Sequence, residues 1–197
     1  MTTIREPKQD RSRATRQRLL EATIECLAEV GWTATTVSVV AERAGVSRGA
    51  AQHHFPTRED LFLAALEYMF DSRIFTAIGQ AEGAPSTEAV ITGLLESFAS
   101  PFFKAALQVW TNAAADPVLR ERIVPLEARF GRVTHQATVR ALGVDDNDPL
   151  ARHLVQITLD LARGLGLADV LTDDSARRRA IAKQWAATLA TTLGLPD

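Results

Sequence analysis

Thr35 to Leu61 reads TTVSVVAERAGVSRGAAQHHFPTREDL, and this stretch decides the fold. Val37, Val40, Ala41 and Ala44 recur at i, i+3, i+4 and i+7, which gives a short helix, about Thr36 to Ala44, one buried face. Gly45 then supplies the left-handed backbone that a tight turn between helices requires. Val46 anchors that turn in the core, and Ser47 can cap a second short helix, about Ser47 to His54, by accepting from an amide two or three residues on. This is the pattern of a helix-turn-helix. Its second helix presents Arg48, Gln52 and His53, side chains able to donate or accept at base edges or phosphates, while Gly49, Ala50 and Ala51 permit close approach. That helix is the expected recognition helix, entering a major groove with its N-terminal residues leading, and Thr36 at the start of the preceding helix is expected near phosphate.

Outward from this motif the apolar spacing stays helical, and alternating runs rich in Val, Ile and Tyr are nearly absent, so the chain reads as all-α. A first helix is predicted from about Arg11 to Val30, with Leu20, Ile24 and Leu27 on one face and Gly31 ending it. A fourth begins at Thr57, whose side chain can cap it while Asp60 reaches back, and should run to about Gln80. After a loop at Glu82 to Ser86, helices are predicted at Thr87 to Ser100, Phe102 to Ala115 and Val118 to Val124, with Pro125 separating the last from Leu126 to Leu142. The acidic turn Asp145 to Pro149 leads to a helix reaching about Leu171, and a final helix capped by Asp173 to Ser175 extends to about Leu193.

The sequence has 197 residues and 46% hydrophobic content, enough to bury roughly 70% of its unfolded surface. Its formal charge of -2 hides an asymmetry. Arg5, Lys8, Arg11, Arg13, Arg16 and Arg18 face only Glu6 and Asp10, so the first 18 residues carry +4 and the rest -6. A basic arm on an acidic body suits a protein that meets phosphate at one end. Cys26 is the only cysteine, which excludes an intrachain disulfide and suits a reducing cytoplasm; its place among the apolar positions of the first helix predicts burial. MTTIREPKQDRSR lacks an apolar core segment and no later run approaches a membrane span, so neither export nor a membrane partner is expected.

Over about residues 11 to 66 the chain resembles the TetR family of transcriptional regulators. The resemblance is carried by Leu19-Leu20 with Ala22, Gly31-Trp32, Thr35-Thr36-Val37, Ala41, Ala44-Gly45-Val46-Ser47, Gly49, His54-Phe55 and Arg58-Glu59-Asp60-Leu61. It implies a homodimer in which the first three helices and the start of the fourth bind a near-palindromic double-stranded operator, and the C-terminal helices form a small-molecule pocket and the dimer interface. The division expected is a DNA-binding domain with its basic arm at residues 1–56 and a larger helical ligand-binding and dimerisation domain at residues 57–197. The DNA-binding set is then Thr36, Ser47, Arg48, Gly49, Gln52, His53 and Arg58. Two positions depart from the family pattern. Gln52 replaces an aromatic, commonly tyrosine, and can hydrogen-bond but not stack; Arg58 replaces the usual lysine and keeps its charge.

Phe103, Leu107 and Trp110 share one face, with Gln108 and Asn112 nearby, and together with Phe70, Phe98, His135 and Asp160 they form a candidate effector pocket, apolar with a few polar groups. The helix from Leu150 to Leu171 is apolar nearly all round, with Leu154, Val155, Ile157, Leu159, Leu161 and Leu165, so it should be buried on several sides; pairing it with the final helix across a two-fold axis gives a four-helix dimer interface. Asp160 and Arg163 can pair within it at i and i+3.

Gly45-Val46-Ser47-Arg48-Gly49 also matches a nucleophile elbow, with His53, His135 or His153 as the base. That motif needs a strand directly before it, whereas Ala41 to Ala44 complete a helix face, so a hydrolase is set aside. His53 and His54 point to different helix faces and no His-x-x-x-His spacing occurs, so no metal or other cofactor is expected. Arg177-Arg178-Arg179 reads as a solvated face of the final helix opposite Ile181, Trp185 and Leu189. The rival from another class, an enzyme or carrier on a helical scaffold that has lost DNA binding, is disfavoured by Arg48, Gln52, His53 and the basic arm.

Overall fold

The computed structural model describes residues 8–71 and 86–195, and within them every regular element is helical. Nine helices lie among the described residues: α1 (Lys8–Ala34), α2 (Val37–Arg43), α3 (Arg48–His54), α4 (Arg58–Met69), α5 (Thr87–Ser97), α6 (Pro101–Ala115), α7 (Pro117–Leu142), α8 (Pro149–Ala168) and α9 (Ser175–Leu193). The start of the basic arm, the expected continuation of α4 toward Gln80 and the loop from Glu82 lie outside the described residues, apart from Ser86, which caps α5. No single helix among them is long and apolar enough to cross a membrane.

The chain divides into two compact units, one formed by Met1–Met69 with Lys104–Ile123 and the other by Phe70–Phe103 with Val124–Asp197. In the first, α1 supplies Leu19, Leu20, Ile24, Cys26 and Leu27 to the core, all buried. Three neighbours account for so broad an apolar surface, because α1 packs against α4 as well as against α2 and α3. Gly31 ends the regular part of α1 at φ 76°, and a further turn follows in which the amide and hydroxyl of Thr35 both donate to the Gly31 carbonyl. At α4 the expected box is present: the Asp60 amide donates to Thr57 Oγ1 at 3.1 Å, and its carboxylate accepts from Thr57 in return. Arg122 pairs with the same carboxylate at 2.7 Å, and these bonds hold the Asp60 carboxyl below its ordinary pKa range.

In the second unit α9 packs along α5 and α5 against α8, burying Ile91, Leu94 and Leu95 with Val155, Leu159, Leu189 and Ala190. The indole of Trp185 donates to Thr158 Oγ1 at 2.9 Å, and that hydroxyl donates in turn to the Leu154 carbonyl. Asp148 caps α8 ahead of Pro149, whose missing N–H costs nothing at the first helical position.

One expected break is absent. Pro125 lies inside α7, which runs unbroken where two helices were predicted. Pro125 and Glu121, whose carbonyl loses its helical donor, are both exposed, so solvent can take over that acceptor.

Candidate nucleic-acid interface

Two caps and one glycine set the geometry of the motif. Thr36 precedes α2 in an extended conformation and its Oγ1 accepts from the Val39 amide at 3.2 Å; Ser47 does the same for α3 through the Ala50 amide at 3.2 Å. Between them Gly45 adopts φ 63°, and the amides of Gly45 and Val46 close the end of α2 by donating to Glu42 and Ala41. Arg18 donates to the last carbonyl there, that of Ala44, at 3.4 Å. Arg43 clasps α2 to α1 through Glu29 at 2.6 Å.

With Ala51 fully buried beneath α3, the opposite face is forced outward: Ser47, Arg48, Gly49, Gln52 and His53 are all exposed, as is Thr36. Among the described residues a Cβ at Gly49 would meet nothing within 4 Å, so a ligand backbone can approach closely there. Six of the seven residues expected to touch DNA therefore lie exposed on the helix-turn-helix. Arg11, Arg13, Arg16 and Arg18 of α1 are exposed too, and Arg16 lies over the ring of Phe55, the residue closing α3, at 5.4 Å. The spacing of bases along α1 signalled charge there, but not that Arg16 and Arg18 brace the ends of α3 and α2.

His54 is half-buried beside His53, their rings 5.8 Å apart, and burial, reinforced by His53 and Arg16, holds its pKa below the ordinary histidine value. Ser47 is occupied as a helix cap, and among the described residues no strand precedes it.

Arg58, the seventh residue, is held at the base of α4. Its guanidinium sits 4.6 Å from the ring of Trp32 and 5.5 Å from that of Phe62, and it donates to the Trp32 carbonyl at 3.4 Å and to Glu59 at 3.3 Å.

The residues proposed as a pocket fall into both units. Phe70, Phe98 and Phe103 are buried in the second, Phe98 edge-on to Phe103 at 5.1 Å and Phe70 against Phe130 at 4.9 Å. His135 is hydrogen-bonded to Asp146 at 2.7 Å, and Asp160 is exposed, pairing with Arg163 at 2.8 Å as its spacing predicted. Gln108, Trp110 and Asn112 belong to the first unit. Gln108 Oε1 accepts from the Trp32 amide at 3.2 Å, and Asn112 donates to the Gln108 carbonyl at 2.7 Å. Sequence reasoning missed Thr134, one turn from Phe130. It is buried and its hydroxyl has no hydrogen-bond partner among the described residues, whereas the hydroxyl of Thr138 donates to the Thr134 carbonyl.

Residues 19–65 match a family model described as bacterial regulatory proteins, tetR family. The HTH-type transcriptional regulator CymR of Pseudomonas putida is 28% identical over 184 residues, covering 90% of each chain. Among solved structures, a transcriptional regulator from Rhodococcus sp. Rha1 superimposes with a TM-score of 0.70 at 23% identity, covering 91% of this chain and 97% of that one. A regulator from Saccharomonospora viridis, solved in complex with choline, superimposes with a TM-score of 0.62 at 22% identity, covering 89% of this chain and 95% of that one. The fold they share is all-helical.

Proposed function

The chain belongs to the TetR family of bacterial regulatory proteins, and from that premise we propose that it is a homodimeric repressor released from a near-palindromic operator by a small molecule. It is a helix-turn-helix transcriptional regulator and not an enzyme. The observation that carries the finer reading is the exposed α3 face of Arg48, Gly49, Gln52 and His53 over buried Ala51. Arg48 and Gln52 read base edges, Gly49 admits the backbone, and Thr36, Ser47, His53 and Arg58 contact phosphate. Repression follows because it needs only occupancy of the site.

The functional division falls at about residue 56, with dimerisation and effector binding beyond it. The dimer uses the last two helices. On and just after α8, Leu150, Ile157, Leu167 and Leu171 stand 50%, 49%, 60% and 90% exposed, an apolar stripe that a second copy would cover. A two-fold pair of recognition helices then meets successive major-groove turns. The choline-bound structure supports a small organic effector; in this chain the clustered rings of Phe70, Phe102 and Phe130 are the candidate apolar lining, and the buried Thr134 hydroxyl, one turn from Phe130, is the candidate polar contact. Such an effector acts only by binding the released state more tightly than the operator-bound state. Operator binding places the protein in the cytoplasm.

Selection from random duplex DNA, followed by titration of the enriched site over a range of salt, tests this. A near-palindrome bound at ~10⁻⁸ M or tighter, with affinity falling steeply as salt rises, is expected. Arg48→Ala should weaken that binding and leave the dimer intact. Failure to enrich any site would end the operator reading.

A further inference from the structure

A helix that breaks creates a new beginning, and its first amides lose their helical acceptors. Gly31 makes such a break in α1: at φ 76° and ψ -178° it leaves the helical backbone, while its carbonyl accepts from Thr35 and so starts the next turn. The Trp32 amide is the first orphan of that turn. Its acceptor is Gln108 Oε1 at 3.2 Å, a residue 76 positions further along the chain on α6. The fit is close, since a Cβ on Gly31 would come within 3.3 Å of the same oxygen.

The far side of residue Trp32 is also held. Its carbonyl, in the next peptide unit, accepts from Arg58, whose guanidinium lies on the indole face, and the indole meets Phe62 edge-on with centroids 5.1 Å apart. Gln108 therefore holds the amide on one side of the Trp32 Cα, and the indole and carbonyl carried by that same Cα hold the Arg58 guanidinium together with Glu59. All of these residues belong to one compact unit.

We propose that Gln108 is a positioning residue for DNA binding: through the backbone and indole of Trp32 it orients Arg58 toward phosphate without touching DNA itself. This rests on the reading of Arg58 as a phosphate contact. A side chain that looks from its spacing like a pocket lining is thereby assigned to the DNA-binding unit.

The test compares the wild-type dimer with Gln108→Leu, which removes the acceptor at similar volume, Gln108→Glu, which keeps an acceptor, Arg58→Ala and the Gln108→Leu/Arg58→Ala double variant. The probe is the duplex enriched by selection or, if none is enriched, sheared mixed-sequence DNA, titrated across salt concentrations. Arg58→Ala should lose roughly a hundredfold in affinity, about tenfold for the charge-assisted hydrogen bond of each protomer. It should also flatten the slope of log K against log salt by about 1.8, one phosphate's worth per protomer of the dimer. Gln108→Leu should reproduce both changes, Gln108→Glu should restore both, and the double variant should be no worse than Arg58→Ala.

If Arg58→Ala shows both losses while Gln108→Leu retains wild-type affinity and slope, the inference is overturned and the Arg58 contact stands. If Gln108→Leu loses affinity with an unchanged slope, or only in step with a lower melting temperature, Gln108 is structural and the inference is overturned. Gln108→Met gives the same reading if the leucine variant does not fold. If Arg58→Ala changes neither quantity, the phosphate contact falls and takes this inference with it.

Discussion

Gly166 of α8 lies directly against the carbonyl oxygen of Phe98, so that a Cβ there would be driven into that oxygen and would come within 2.8 Å of the Phe103 ring. The obstacle is main chain and cannot rotate away. Gly166→Ala is therefore expected to destabilise the protein by about 2–3 kcal/mol, as overpacked cores do. Gly93, exposed on α5 and outside the apolar stripe proposed as the dimer interface, has nothing among the described residues within 4 Å of where its Cβ would stand. Gly93→Ala should be neutral or stabilise by up to ~1 kcal/mol, because alanine has the better helix propensity. Urea unfolding of the two variants side by side measures the contrast, and equal effects would contradict the close approach.

How much was legible beforehand follows from the range of each interaction. The helix-turn-helix was readable because its rules act over a few residues: Ser47 caps Ala50, Gly45 turns the chain and Val40 and Ala41 repeat on one face. Pro125 was misread as a break because whether a helix tolerates proline depends on solvent access at Glu121, which no local pattern records. Gln108 illustrates the same limit at longer range. Its periodicity places it on a helix face, but its partner is an amide on another helix, exposed for bonding only because Gly31 breaks α1. Thr134 gave no signal at all, since an unpaired hydroxyl is a property of packing.

The three consecutive arginines of α9 should behave differently. Successive helical residues point about 100° apart. Arg178 meets Asp169 at 2.7 Å with both side chains only 11% exposed, contrary to a uniformly solvated face. Arg177 pairs with the helix's own Asp174 at the surface, and Arg179 is exposed. Arg178→Ala is expected to cost about 2 kcal/mol, because it takes the charged partner from a nearly buried carboxylate that keeps the Asp174 amide as a donor. Arg177→Ala should cost at most about 0.5 kcal/mol. Chemical denaturation of the single variants ranks them, and a silent Arg178→Ala would show that the pair adds nothing.

Histidine 54 predicts an acid sensitivity of the free protein. Burial, with His53 and Arg16, lowers its pKa in the folded state below the ordinary 6.5, so the unfolded chain binds that proton more readily. Stability should therefore begin to fall as pH drops through about 6.5, and the loss should be complete once pH passes below the folded-state pKa. Asp60, Asp146, Asp173 and Asp174 have carboxyls held below their ordinary value of 3.8, so their stabilisation is lost only at lower pH and does not overlap this window. Melting temperatures of wild type and His54→Gln between about pH 7.5 and 5.5 separate the effects. The wild type should lose stability across the range and the variant should lose less; parallel curves would remove His54 as the cause.

Ser47 performs two tasks that one substitution can pull apart. Its Oγ accepts from the Ala50 amide as the cap of α3, and the same exposed side chain stands at the helix end proposed above to lead into the groove. Aspartate caps as well as serine, and its charge favours a helix N-terminus, so Ser47→Asp should leave stability unchanged within about 0.5 kcal/mol. At the DNA surface the same charge faces phosphate, and binding should fall at least tenfold, more severely at low salt where repulsion is least screened. Ser47→Ala does the reverse: about 1 kcal/mol of stability is lost with the cap, while the surface gains no charge, and affinity falls only by the neutral phosphate hydrogen bond of the hydroxyl, with an unchanged salt slope. Thermal melts and salt-dependent DNA titrations of both variants give four numbers that must cross in this way. If Ser47→Asp kept full affinity, the N-terminal end of α3 would not face DNA.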